Sequence, residues 1–209
     1  FSQHADAEIV ALCDVSRSTL DAANDKLTQG KAATYGDFRK LLDHKDLDAV
    51  VIATPDHWHA ILTITACRAG KDVYCEKPLS KTIHEGRRMV ETARQTKRIV
   101  QVGTHRRSGH SYAEAAELIA SGKLGKITVA RAFDTTNMFP LGIGKAAPSD
   151  PPADLDWDMW LGPRPMRPFQ ATITPFKFRW WDLYATRFAD NGIHFIDVMR
   201  WLTGDEPAP

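Results

Sequence analysis

The sequence has little of what marks several classes of protein. Its 209 residues contain three cysteines, an odd number, and Cys13 and Cys75 fall in apolar runs typical of buried strands. This usage indicates free thiols in a reducing compartment and argues against a disulfide framework. No apolar stretch approaches the ~20 residues that a membrane helix needs. The start, FSQH, has neither an initiator Met nor a basic segment leading into an apolar one.

The chain also lacks an excess of charge of either sign. It has 27 basic and 26 acidic residues, a formal net charge of +1, and no long basic block. We therefore expect no nucleic-acid partner and no membrane partner, and a small molecule is the better expectation. The hydrophobic share of 43% is that of an ordinary globular protein with a substantial core.

What the sequence does contain is an alternation of apolar runs and helical patterns. Strands are predicted over residues 8–14, 48–54, 71–75 and 99–103. Helices are predicted over 16–30, 37–43, 59–69 and 112–119, and another follows the capping-box pair of Thr82 and Glu85. This alternation is typical of a doubly wound parallel sheet, an α/β fold of the Rossmann type.

The pattern changes after Leu124, where we place a domain boundary that divides the chain into residues 1–124 and 125–209. Residues 126–135 are predicted as a strand, 154–161 as one or two helical turns, and 187–202 as a helix ended by Gly204. Tryptophans and Tyr184 make the second part rich in aromatic residues, most of which we expect in the core. One or two, with Arg179 or Lys177, could border a pocket.

In a doubly wound sheet, ligands bind beyond the carboxyl ends of the strands. The polar residues at these predicted ends are Asp14, Thr54, Glu76, Lys77, and the segment 104–107. The tripeptide Glu76-Lys77-Pro78 is matched far downstream by Asp190 and His194. An ammonium, an imidazole and a carboxylate are the groups needed to take a proton from an alcohol while its carbon gives up a hydride. The alternative to a catalytic role is a structural one, in which the Asp190–His194 pair only stabilises a helix and Lys77 is a solvated lysine.

A dinucleotide site normally opens with a glycine-rich turn, and an acid about 20 residues later bonds the adenosine ribose. Asp14 fits the acid, but the sequence contains no such turn before it. We therefore expect the turn, the first strand and the true N-terminus to lie before Phe1. A carboxylate at Asp14 disfavours a 2′-phosphate, which makes NAD the first choice, while Arg17 keeps NADP open.

These residues together resemble the Gfo/Idh/MocA family of oxidoreductases. The resemblance is carried by Asp14, TPDHWHA over 54–60, the Glu-Lys-Pro tripeptide, and DNGIHFID over 190–197, and it covers nearly the whole chain. It implies a Rossmann domain followed by an α+β domain with an open, mostly antiparallel sheet, which often mediates homo-oligomers. The chain stops soon after the DNGIHFID segment, so most of that sheet is expected to be missing. It also implies NAD or NADP as cofactor and a sugar, polyol or related compound as substrate.

The resemblance assigns roles to three residues by position. Lys77 would hydrogen-bond the reacting oxygen close to the nicotinamide ribose. His194 would be the general acid and base, with an ordinary imidazole pKa of about 6.5. Asp190 would bind substrate hydroxyls or hold the imidazole in one tautomer.

Other residues are expected around the cofactor and the substrate. Near the nicotinamide and its ribose the resemblance places Thr54, Pro55, Asp56, His59 and Glu76, and Asp56 stands where the family commonly has Asn. His57 and His59 have no third ligand at a metal-site spacing, so no metal is expected. Arg106 and Arg107 follow the last predicted strand, as substrate-binding residues or as surface arginines.

Three functions remain open. The preferred one is an NAD-dependent dehydrogenase of a sugar or polyol. The second is a glycosidase in which bound NAD transiently oxidises the sugar, and the third is a non-catalytic carbohydrate-binding relative. Location is expected to be cytoplasmic by default, with an exported form left open because the N-terminus is expected to be absent.

Overall fold

Short parallel strands and helices alternate through the first part of the chain. This computed structural model describes residues 4–134, 138, 140–185 and 188–204. The elements of the first part are β1 (Ala11–Cys13), α1 (Arg17–Thr28), β2 (Ala33–Tyr35), α2 (Phe38–Leu42), β3 (Ala49–Ile52), α3 (Asp56–Arg68), β4 (Asp72–Glu76), α4 (Ile83–Thr96), β5 (Val100–Gly103), a 3₁₀ helix (His105–Ser108) and α5 (His110–Ala120). The second part contains α6 (Trp157–Leu161), a 3₁₀ helix (Lys177–Trp180), a π-helical turn (Phe188–Gly192) and α7 (Ile193–Thr203).

The strands form two parallel groups among the described residues. Strand β1 pairs with β2, and β3, β4 and β5 pair in that order. Val10, Ala11 and Cys13 pack against a core that includes Ile52 and Cys75, so the two groups share one apolar interior. This arrangement confirms the predicted α/β parallel fold, and it brings the carboxyl ends of the strands to one edge.

Side-chain caps explain where three of the helices begin. Ser16 caps α1 by accepting from the Thr19 amide, and Asp37 caps α2 by accepting from the Arg39 amide. Thr82 and Glu85 form the predicted capping box at α4. Each contact satisfies an amide that has no partner within the helix, so the local sequence sets these boundaries.

Several sequence expectations differ from the structure. Residues 126–134 are exposed and contain no strand, because no neighbouring segment of the described chain pairs with them. The second part has two isolated antiparallel bridges, Ser16 with Leu155 and Ser149 with Phe169. Strand β2 was not predicted, since three residues are too few to give a period. Helix α3 begins at Asp56, directly after Pro55, and not at His59.

A second apolar core joins the two parts of the chain. It is built from Trp157, Trp160, Leu161, Phe169, Ile173, Phe178, Tyr184 and Ala185. The carbonyl of Trp160 accepts hydrogen bonds from His57 Nε2 and Trp58 Nε1, each at 3.0 Å, so the start of α3 is fixed to this core. Among the described residues, no helix combines the length and apolar character that a membrane crossing requires.

Gly162 offers a test of this docking. It has a φ of +52°, and an added Cβ would lie 2.0 Å from Cζ2 of Trp58. We expect Gly162→Ala to lower the free energy of unfolding by about 3 kcal/mol, because strain and a clash with a ring combine. Gly122→Ala is the control, since Gly122 has a φ of +75° with open space around it. Backbone strain alone should cost the control about 1 kcal/mol. Equal losses in urea titrations would contradict the assigned clash.

Candidate active site

An ion pair joins the end of β4 to the turn before α7. Lys77 Nζ donates to the Asp190 backbone carbonyl at 2.7 Å and to Asp190 Oδ1 at 2.8 Å. The two side chains are 18% and 8% exposed, so water screens the pair weakly. Glu76 braces the turn, since its carboxylate accepts from the Lys77 amide at 3.2 Å and lies against Gly103. The structure therefore brings together Lys77 and Asp190, which sequence reasoning had paired.

Arg179 is a second cation on Asp190. Its Nε donates to Asp190 Oδ1 at 3.3 Å, and its guanidinium lies over the rings of Phe176 and Phe178. Burial alone would raise the pKa of Asp190, but the bonds from Lys77 and Arg179 hold that pKa below its ordinary value. Asp190 is therefore ionised at neutral pH. The sequence suggested a place for Arg179 at the pocket border, but no spacing rule linked it to Asp190.

His194 follows Asp190 by one helical turn and is 7% exposed. Its Nδ1 is buried without a hydrogen-bond partner, and its ring meets the edge of His105 at a centroid distance of 4.6 Å. Burial, followed by the nearby side chains of Lys77, His105 and Arg106, lowers the pKa of His194 to about 4. The expectation of an ordinary imidazole pKa is therefore wrong. His194 is neutral across the physiological range and can accept a proton.

Asp56 begins α3 with a buried carboxyl group. The residue is 5% exposed, and Oδ2 has no hydrogen-bond partner. Burial raises the pKa of Asp56 to about 6, with His59 and Lys77 opposing and Asp190 adding to the rise. Near that pH the carboxyl is partly protonated and can donate a hydrogen bond as well as accept one. It can therefore supply the donor that an Asn amide would supply at this position.

The two histidines of α3 have structural partners. His59 is 1% exposed, and its ring nitrogens contact the carbonyl oxygens of Pro78 at 2.6 Å and Thr54 at 2.9 Å. It joins the loop after β3 to the turn after β4 and so positions both, while its contact with the cofactor stays a prediction. His57 is buried between aromatic rings, which lowers its pKa to about 4. In the described part of the chain, no three His, Cys, Asp or Glu side chains converge as a metal site.

The side chains of the two arginines after β5 both contact α7. Arg107 makes three hydrogen bonds of 2.9 to 3.0 Å to the Asp197 carboxylate and lies over the ring of Trp201. The guanidinium of Arg106 lies 4.5 Å from the ring centroid of Phe195. Arg107 therefore has an ion-pair partner on α7 and Arg106 lies beside His194, while the substrate contacts of both stay predictions.

Asp14 follows the carboxyl end of β1, in the two-stranded parallel group. Its Oδ1 accepts from the Ser16 amide at 2.8 Å, and burial raises the pKa of the carboxyl. With Gly36 it lines a cleft of about 340 Å³ beyond β1. Arg17 turns to Asp21, at 2.9 Å, and its side chain is 67% exposed. A carboxylate beside an open cleft at this strand end fits the ribose of a dinucleotide.

Two sequence models of one oxidoreductase family match this chain. The model described as the oxidoreductase family, NAD-binding Rossmann fold, matches residues 1–104, and that of the family's C-terminal alpha/beta domain matches 116–209. The chain belongs to the Gfo/Idh/MocA family.

Named relatives support the same placement. The chain is 31% identical to myo-inositol 2-dehydrogenase of Thermotoga maritima over 201 residues, which is 96% of this chain and 49% of the relative. It superposes on apo scyllo-inositol dehydrogenase of Lactobacillus casei with a TM-score of 0.67 at 28% identity, covering 97% of this chain and 48% of that one. A levoglucosan dehydrogenase in complex with NADH and levoglucosan also gives 0.67, at 25% identity, covering 94% and 45%. The chain spans half or less of the length of these relatives.

The unpartnered carboxyl of Asp56 leads to a stability prediction. Because the folded pKa of about 6 lies above the ordinary value of 3.8, the buried carboxylate costs stability increasingly as pH rises from about 4 through 6. Asp56→Asn removes that charge, so its gain over wild type should be near zero at pH 4. The gain should reach up to about 3 kcal/mol above pH 7, at ~1.4 kcal/mol for each pKa unit. Urea titrations from pH 4 to 8 measure it.

Asp150→Asn is the matched control for this measurement. Asp150 is exposed, so Asp150→Asn removes a carboxylate that is in contact with water. A gain for Asp56→Asn that does not change with pH would contradict the assigned burial of a charge.

Proposed function

We propose that the protein is an NAD-dependent oxidoreductase that transfers a hydride between a carbinol carbon of a sugar or polyol and nicotinamide. The observation that carries the proposal is the Lys77–Asp190 pair with neutral His194 one turn further along. Relatives that act on inositols and levoglucosan favour a polyhydroxylated substrate. When bound, NAD supplies the acceptor for the hydride.

The cofactor would be held along the sheet edge by residues of this chain. Asp14 would accept from the adenosine ribose, and the loop of Thr54 and Pro55 with Asp56 would border the nicotinamide end. His59 contributes by fixing that loop to the turn that carries Lys77.

His194 is the group that takes the proton. In the oxidative direction the substrate hydroxyl must lose a proton as its carbon becomes a carbonyl, and a neutral imidazole accepts it. The low pKa of His194 keeps the imidazole unprotonated before the reaction. In the reductive direction the protonated ring is more acidic than an ordinary imidazolium, because burial and the nearby positive groups favour its loss of a proton.

Lys77 stabilises the charge that develops on the substrate oxygen. An ammonium placed by a strand end costs no reorganisation when negative charge appears nearby. Asp190 holds the ammonium with both its carbonyl and its carboxylate, and Arg179 keeps the carboxylate ionised. Asp190 therefore positions Lys77 and can also accept from a second hydroxyl of the substrate.

Substitutions of the two proton-handling residues test the proposal. In protein from the complete reading frame, Lys77→Met and His194→Gln should each lower kcat by about 10²-fold or more, while the Kd for NAD changes little. Lys71→Met is the control, because Lys71 lies before the amino end of β4 and binds the Leu47 carbonyl. Wild-type turnover in either test variant would overturn the assignment. Release of a leaving group from a glycoside without net NADH would instead support the glycosidase.

The protonation state of His194 gives a separate test that needs no substrate. The chemical shift of its ring Cε1 proton should not titrate between pH 5.5 and 8, because the pKa lies at about 4. In Lys77→Met the pKa of His194 should rise, since the positive neighbour with the largest effect on it is removed. The unfolded protein supplies the reference, with an inflection at about pH 6.5. An inflection near that value in the folded protein would contradict the assigned environment.

A further inference from the structure

A carboxylate from the second part of the chain lies on the first turn of α1. Asp154 Oδ2 accepts from Ser18 Oγ at 2.5 Å, from the Ser18 amide at 3.4 Å and from Ser16 Oγ at 3.4 Å. The backbone carbonyl of Asp154 accepts from the Arg17 amide at 2.8 Å. Asp154 thus uses two hydroxyl and two amide donors at the start of a 12-residue helix, 136 residues away from Ser18 in sequence.

This donor set is one that a phosphate would use. Amides at a helix start point outwards with partial positive charge, and hydroxyls add further donors, so such a place binds anions. In this protein the carboxylate of Asp154 already binds the donors at the start of α1. The bonds from Ser18 hold the pKa of Asp154 below its ordinary value, so the negative charge is present at neutral pH.

The position matters because the same cleft contains Asp14. Asp14, Asp154 and Asp156 all line the cleft beyond β1, together with Gly36. An acid at Asp14 marks where an adenosine ribose would present its 2′-hydroxyl. A phosphate on that hydroxyl would need the donors that Asp154 uses, and it would meet a second negative charge. Arg17, the nearest cation in sequence, is paired with Asp21.

We propose that Asp154 is a specificity-determining residue that excludes cofactors with a phosphate on the adenosine 2′-hydroxyl. Asp154 occupies the anion-binding start of α1, and its negative charge adds to that of Asp14. The proposal rests on the proposed function for the identity of the cofactor. It adds that selectivity against NADP comes in part from the second part of the chain.

Nucleotide fragments separate this proposal from the catalytic one. In protein from the complete reading frame, calorimetry compares 5′-AMP with adenosine 2′,5′-bisphosphate, which differ only in the 2′-phosphate. Wild type should bind AMP at least tenfold more tightly than the bisphosphate. In Asp154→Asn, which keeps the size and an acceptor but removes the charge, the bisphosphate should gain about tenfold relative to AMP. The ratio of kcat/KM for NADP over NAD should rise in parallel.

Two further variants distinguish the effect of the Asp154 charge from the effect of a less firmly held segment around Asp154. Asp150→Asn removes the same charge from an exposed position four residues earlier and should leave the ratio unchanged. Ser18→Ala removes a hydroxyl donor but leaves the carboxylate, so it should loosen the segment without favouring the bisphosphate. A gain in Ser18→Ala equal to that in Asp154→Asn would overturn the proposal, because loosening alone would then explain it.

The remaining outcomes are also decisive. Wild type that prefers the bisphosphate, or an unchanged ratio in Asp154→Asn, overturns the proposal whatever the activity. Failure to bind either nucleotide overturns it together with the NAD assignment. A shifted ratio in a protein without dehydrogenase activity supports the role of Asp154 and contradicts only the proposed reaction.

Discussion

The docking of the second part of the chain onto the carboxyl ends of the parallel strands is the constraint on which the site depends. The Trp160 carbonyl accepts from both His57 and Trp58, so two side chains of α3 converge on one backbone atom. Both donors are largely removed from water, and an unpaired donor there would cost free energy. The hydrogen bonds therefore fix the direction in which the later segments cross the sheet edge. Asp190 reaches Lys77 only with that direction fixed.

The charge states in the site follow from an excess of positive groups over negative ones around Asp190 and His194. Lys77 and Arg179 both lie on Asp190, and Lys77, His105 and Arg106 act on His194. One carboxylate remains ionised despite burial, and one imidazole is kept neutral. Burial raises the pKa of Asp56, whereas the bonds from Lys77 and Arg179 hold the pKa of the buried Asp190 below its ordinary value. Two carboxyl groups of one site thus differ in charge state through their partners.

Sequence alone predicted the local features and the chemistry-bearing residues, because both depend on short-range rules. The capping box at Thr82, the parallel strands and the Lys77, Asp190 and His194 set all follow from periodicity, strand ends and resemblance. The pKa of His194 could not follow, since it depends on burial and on side chains from the turn after β4 and from the 3₁₀ helix after β5. The contacts of His59 and Arg107 could not follow either, because spacing does not reveal that His59 meets two carbonyls and that Arg107 meets a carboxylate of α7. The strand expected after residue 126 rested on an apolar pattern that finds no pairing partner here.

The contacts between the two parts share one arrangement at three strand ends. The end of β1 meets the segment around Asp154, the loop after β3 leads into the α3 start that meets Trp160, and the end of β4 meets Asp190. At each place donors of the first part bind oxygen acceptors of the second part, and at the end of β1 the Asp156 amide also donates to the Val15 carbonyl. Exposed N–H and ammonium groups at the carboxyl edge of a parallel sheet would otherwise bind any anion. By filling some of them with its own oxygens, the chain restricts which negative groups of a ligand the edge can accept, so recognition and docking use the same bonds.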